Sequence, residues 1–151
     1  MKLSENFSLN ELCKSDTAIR LDINNVADDE DVINCLENVA TNILQPLRDH
    51  YGIAYAPNSG FRSQDLNKAI GSSNKSQHCQ GQAVDIEIPT IDNSDLALYI
   101  ENNLDYDQLI LEFYKQGDPK SGWVHVSFKS EGNRKQSLTY DGKKYTNGLN
   151  I

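Results

Sequence analysis

An α+β fold, with a small antiparallel sheet packed on one long helix, is predicted by two patterns in this chain. Val32, Ile33, Leu36, Val39, Ala40, Ile43, Leu44 and Leu47 recur at helical spacing, which marks a long helix with one buried face. Three short segments, 83–88, 108–113 and 123–128, instead alternate with a period of two, the signature of half-buried strands. The chain has 151 residues, no internal repeat and no linker-like stretch, so a single domain over residues 1–151 is expected.

The elements follow in order. Ser8, with Glu11 three residues later, forms a capping-box pattern for a short helix that Phe7 and Leu12 would staple to the body. A loop runs to about Asp28, and the acidic run Asp28–Asp31 suits the first turn of the long helix. Pro46 falls inside that helix and should kink or restart it. Residues 53–59 read as extended, and Ser63–Ile70 as a short helix that Gly71 ends. The polar run 71–77 is a loop by composition. A strand at 83–88 stops at Pro89, and a helix at about Ser94–Asn103 comes next. Strands near 108–113 and 123–128 follow, and Asp141-Gly142 turns a closing hairpin between 137–140 and 143–146.

Composition narrows the function. With 38% hydrophobic and 24% charged residues, the chain has ordinary globular make-up. A net charge of −8 speaks against nucleic acid or an anionic membrane as partner. No apolar run approaches the roughly 20 residues of a membrane span. The N-terminus lacks the hydrophobic stretch of a signal peptide, so synthesis in the cytoplasm is expected. Cys13, Cys35 and Cys79 fit neither a disulfide framework nor a paired-cysteine metal site, and read as reduced thiols. Cys79, next to His78, is an alternative metal donor, although neighbouring side chains on extended backbone point apart.

Strand parity locates a candidate site. Val84, Ile86 and Ile88 share one face, and Ala83, Asp85 and Glu87 the other. Leu109, Leu111 and Phe113 oppose Gln108, Ile110 and Glu112; Val124, Val126 and Phe128 oppose Trp123, His125 and Ser127. Neighbouring strands would therefore project Asp85, Glu112 and His125 into one cleft. His78 precedes Asp85 by a glycine-containing turn that can fold the imidazole back beside the carboxylate. Two imidazoles and one carboxylate with an open fourth position form a ligand set for catalytic zinc. Parity alone also allows ordinary hydrogen-bonded histidines. His50, beside Asp49, reads as an ordinary helix-end residue, and Glu87 as a solvated strand residue.

Ser76-Gln77-His78-Cys79-Gln80-Gly81-Gln82-Ala83-Val84-Asp85 reads as SxHxxGxAxD, and Trp123-Val124-His125 as a later W-x-H element. Together with Phe7–Leu12, Ser59–Ser63 and the 108–113 strand in the same order, these motifs resemble the zinc D-alanyl-D-alanine carboxypeptidases, peptidase family M15. That family includes D,D-dipeptidases and phage L-alanyl-D-glutamate endopeptidases. The resemblance implies a hedgehog/DD-peptidase-like fold and one zinc ion per chain, held by His78, Asp85 and His125. It further implies that Arg62 faces the substrate or the developing oxyanion, unless it is a plain surface arginine. Ser76 would bond its own loop or a polar end of the substrate.

One position departs from the family pattern. Many members place the catalytic acid three residues before the last histidine, and Gly122 stands there. Glu112, on the site-facing parity of its strand, is the favoured general base, and Asp118, in a Gly-Asp-Pro turn, the alternative. The activity implied is metal-assisted hydrolysis of peptide bonds in bacterial peptidoglycan stem peptides or cross-links, by a monomer. A phage or prophage endolysin that reaches the wall through a separate pore fits these features, as does a host enzyme for recycled muropeptides. The rival reading is a catalytically inactive zinc-binding domain with a binding or structural role.

Overall fold

In the computed structural model, which describes Met1–Ile151, five strands form one mixed sheet in the order β1-β3-β2-β4-β5. They are β1 (Ala83–Ile86), β2 (Gln108–Glu112), β3 (Trp123–Ser127), β4 (Gln136–Tyr140) and β5 (Tyr145–Asn147). The helices are α1 (Leu9–Cys13), α2 (Asp16–Arg20), α3 (Glu30–Val39), α4 (Gln45–Tyr51), α5 (Gln64–Ala69) and α6 (Asn93–Asn103). The fold is α+β, as the two periodicities predict.

The antiparallel expectation needs one correction. β3 pairs antiparallel with both β1 and β2, and β5 with β4, but β4 runs parallel to β2. The cause lies in how the chain leaves β3. Ser127 ends that strand beside the start of β2, where its carbonyl accepts from the Asp107 amide at 2.8 Å. The loop that follows is tied down at the same end: the amides of Lys135 and Gln136 donate to the carbonyls of Tyr106 and Asp107. A strand launched there can only run in the direction of β2.

Asp107 anchors that loop. Its side chain is 0% exposed, yet Arg134 grips it as a fork, Nε to Oδ1 at 3.0 Å and Nη2 to Oδ2 at 2.8 Å. The Arg134 amide and Gln77 Nε2 add bonds at 3.0 Å each. The hydrogen bonds from Arg134 hold the Asp107 carboxyl well below the usual carboxylate range. A carboxyl depressed below its unfolded value of about 3.9 contributes stability above that pH, and the contribution is lost as pH falls through the folded value. Asp107→Asn should therefore lower the melting temperature by several degrees at neutral pH and flatten the acid side of the stability profile, as thermal melts across pH would record.

The helix that backs the sheet is continuous in backbone but not uniform. Between α3 and α4, residues Ala40–Leu44 form a π-helical turn. Pro46 lies at the start of α4; it lacks an N–H, and its ring would press on the carbonyl four residues back, so the preceding turn widens. The expected disturbance is real, but it is spread over one turn before the proline. Leu36, Val39, Ile43, Leu44 and Leu47 from this stretch are fully buried, in one core cluster with Val84, Ile86, Leu109, Leu111, Val124 and Val126. Each such aliphatic side chain contributes roughly 1.5–3 kcal/mol by leaving water. Strand parity thus partitions the sheet as expected, with the aliphatic face on the helices.

Other boundaries follow local chemistry. Ser8 caps α1 in a reciprocal box with Glu11, and Ser63 caps α5. One helix, α2, falls in the stretch expected to be a loop; it is a single turn capped by Ser15, with only Ala18 buried, too short to show a period. Residues 53–59 form no strand beyond one bridge from Ser59 to Asp85. Phe113 also departs from expectation. Its φ of +57° turns it out of β2, so its ring leaves the core and is 43% exposed.

Candidate metal centre and cleft

His78, Asp85 and His125 converge, with one ligand atom from each within 4.8 Å of the others. Asp85 and His125 are direct cross-strand partners, which brings the carboxylate and the imidazole onto the same sheet face. His125 Nδ1 lies 3.0 Å from Asp85 Oδ1, and His78 Nε2 lies 3.4 Å from the same oxygen. His78 is 3% exposed, in the turn between α5 and β1. That turn is held by Ser76, whose Oγ accepts from the His78 amide at 3.2 Å. At Gly81 the turn passes against α3 with φ +75°, and a Cβ would sit 2.6 Å from the Val32 carbonyl oxygen.

The donor chemistry fits a cation. His78 Nδ1 is 2.8 Å from the carbonyl oxygen of Gly60, which can only accept, so that nitrogen carries the proton. Nε2 then presents a lone pair towards a carboxylate oxygen, an arrangement that is repulsive unless a cation lies between them. Burial pulls the His78 imidazole below its ordinary value, with Asp85 opposing, which favours the neutral, ligating form. Burial opposes ionisation of Asp85, but the facing His125 and His78 imidazoles prevail and hold its carboxyl well below the usual range. Ligand atoms around a tetrahedral zinc with bonds near 2.0–2.1 Å stand about 3.3 Å apart, close to the separations from the shared Asp85 oxygen. Cys79 is not in this group of donors.

A cleft of about 730 Å³ opens over these residues and is also lined by Arg62, Ser76 and Glu112. Arg62 Nη2 stands 3.8 Å from Asp85 Oδ2. Its guanidinium is braced by Ser59 Oγ at 3.4 Å and Asn67 Oδ1 at 3.1 Å, and Asn67 in turn donates to the Ser73 carbonyl at 2.6 Å. Asn67 is buried, and no sequence signal singles it out; only its contacts reveal it as the support of Arg62. Glu112 pairs with Trp123 across β2 and β3 and accepts a hydrogen bond from the Trp123 indole N–H. Burial pushes the Glu112 carboxyl above its ordinary value.

Gly122 has a structural reason for being glycine. Its φ is +65°, and a Cβ there would lie 1.9 Å from the Glu112 carbonyl oxygen. A side-chain acid cannot be accommodated at this position. Asp118 caps its own turn, accepting from the Lys120 amide at 3.3 Å, and does not line the cleft. Glu87 accepts from Asn58 and Asn93. His50 stacks on Tyr99 with ring centroids 3.8 Å apart.

The family described as peptidase M15 matches residues 5–127, a stretch that contains all three clustered donors together with Arg62, Ser76 and Glu112. No curated protein matches the chain.

Proposed function

This chain belongs to the peptidase M15 family, and from that premise we propose that it is a zinc-dependent peptidase of bacterial peptidoglycan, cutting stem peptides or cross-links. The observation that carries this reading is the convergence of two imidazoles and one carboxylate at the floor of a cleft that also holds a half-buried glutamate and a braced arginine. No helix is long and apolar enough to cross a membrane. Release of a phage or prophage enzyme to the wall accords with the reading.

In this proposal His78 Nε2, His125 and Asp85 hold one zinc ion. Zinc bound there would supply Lewis acidity and lower the pKa of a water towards about 7. Glu112 accepts the proton of the attacking water and passes it to the leaving amide nitrogen, and its raised affinity for protons suits both steps. Arg62 faces the oxygen on which negative charge grows. Asn67 and Ser59 keep that guanidinium from swinging away, so little ordering is needed at the moment of reaction. Ser76 fixes the His78 turn and offers its hydroxyl oxygen at the cleft wall.

Incubation with purified peptidoglycan, with and without a chelator, tests the activity. New amino termini that appear only without chelator are the expected result, and their identity names the bond. No release of amino groups by the zinc-loaded protein would favour the inactive zinc-binding domain. For Arg62→Ala we expect retained zinc and fold and a loss of roughly 10²–10³-fold in turnover, the scale of one electrostatic stabiliser. Wild-type turnover in that variant would make Arg62 a surface residue without a role in the reaction.

A further inference from the structure

At the end of the cleft beyond Glu112, four aromatic rings form a continuous shelf. Trp123 and Phe113 stand with centroids 5.1 Å apart, Phe113 meets Tyr140 edge-on at 5.5 Å, and Tyr140 stacks on its cross-strand partner Tyr145 at 4.3 Å. Two of these rings are open to solvent: Phe113 is 43% exposed and Tyr145 56%. Phe113 reaches the shelf only through a left-handed backbone conformation, which costs energy for a bulky residue and gives up a place in the core. Tyr140 and Tyr145 lie in the closing hairpin, beyond the residues that match the family.

We propose that this shelf is a saccharide subsite, which stacks the apolar face of an amino-sugar ring of the glycan strand while the attached peptide crosses the metal centre. The inference rests on the peptidoglycan reading above. The stem peptide is built of alanines, a glutamate and a diamino acid, so it has no large flat apolar group to cover four rings. The sugar to which the peptide is attached does: one face of a pyranose ring is lined with C–H bonds, and its rim carries hydroxyl and amide groups. The shelf offers both features, because its ring surfaces carry the Tyr140 and Tyr145 hydroxyls and the Asp141-Lys143-Lys144 turn joins these two tyrosines. The remainder of the cleft holds Arg62 and Lys75, cations that suit the carboxylates of the peptide, beside Asp85 and Glu112.

Trp123 is the only tryptophan in the chain, so its fluorescence reports on the shelf directly. The probe is tetra-N-acetylchitotetraose, titrated against the zinc-loaded protein. A saturable change in Trp123 emission is expected, with affinity roughly tenfold weaker in Tyr145→Ala, the scale of one lost aromatic contact, and retained in Tyr145→Phe. The saccharide has no peptide bond to cut. Sugar binding is thereby read apart from hydrolysis, and a failed peptidase and a failed shelf give different results. No saturable change in the wild type, or equal affinity in Tyr145→Ala, would overturn the proposal. So would a Tyr145-dependent response to the sugar-free tripeptide L-Ala-γ-D-Glu-L-Lys without one to the saccharide, since the shelf would then belong to the peptide.

Discussion

Replacing either imidazole of the cluster, His78→Ala or His125→Ala, is expected to abolish stoichiometric zinc binding. Each substitution leaves two protein donors, one of them a carboxylate whose low proton affinity depends on the two facing histidines. Metal analysis should find one zinc per wild-type chain and none retained after gel filtration of either variant. Binding to the folded state alone raises stability by mass action, so zinc should lift the wild-type melting temperature and a chelator should lower it. Both variants should melt at the same temperature with or without the metal. Undiminished zinc in either one would refute the ligand assignment without any assay of activity.

Glu112→Gln separates proton transfer from architecture. A glutamine oxygen can still accept the Trp123 indole N–H, so the β2–β3 pairing and the cleft wall should persist. Zinc content and melting temperature should remain near wild type while turnover falls by roughly 10²–10⁴-fold, the range for loss of a general base. Asp118→Asn should cost little, because that carboxylate only caps an exposed turn. The opposite pattern would move the base from the strand to the loop.

Much of this arrangement was legible in the residues because its causes are local. Backbone geometry imposes a period of two on strands, so Asp85, Glu112 and His125 had to share a face once the aliphatic residues between them packed on the helix. The Ser8–Glu11 box and the Asp141-Gly142 turn are written in four or five consecutive positions. The same logic fails at Phe113, where parity predicts burial. There the strand ends in a turn: the Phe113 amide donates to the Tyr140 carbonyl, and Phe113 takes a positive φ that no alternation pattern encodes.

What the sequence determined by itself, then, was the α+β class, the buried face of the helix and the parity of three strands, each a matter of spacing along the chain; the grouping of His78, Asp85 and His125 was expected from parity together with the family resemblance. Only the tertiary structure decided the parallel course of β4, since its direction depends on a loop fastened to Asp107 by a partner 27 residues away. It also decided the bracing of Arg62 by Asn67 and the union of Phe113 and Trp123 with a hairpin that begins at Gln136. These features arise from contacts between segments far apart in the chain, where the energy lies in burial, pairing and steric fit. Local periodicity carries no information about such partners.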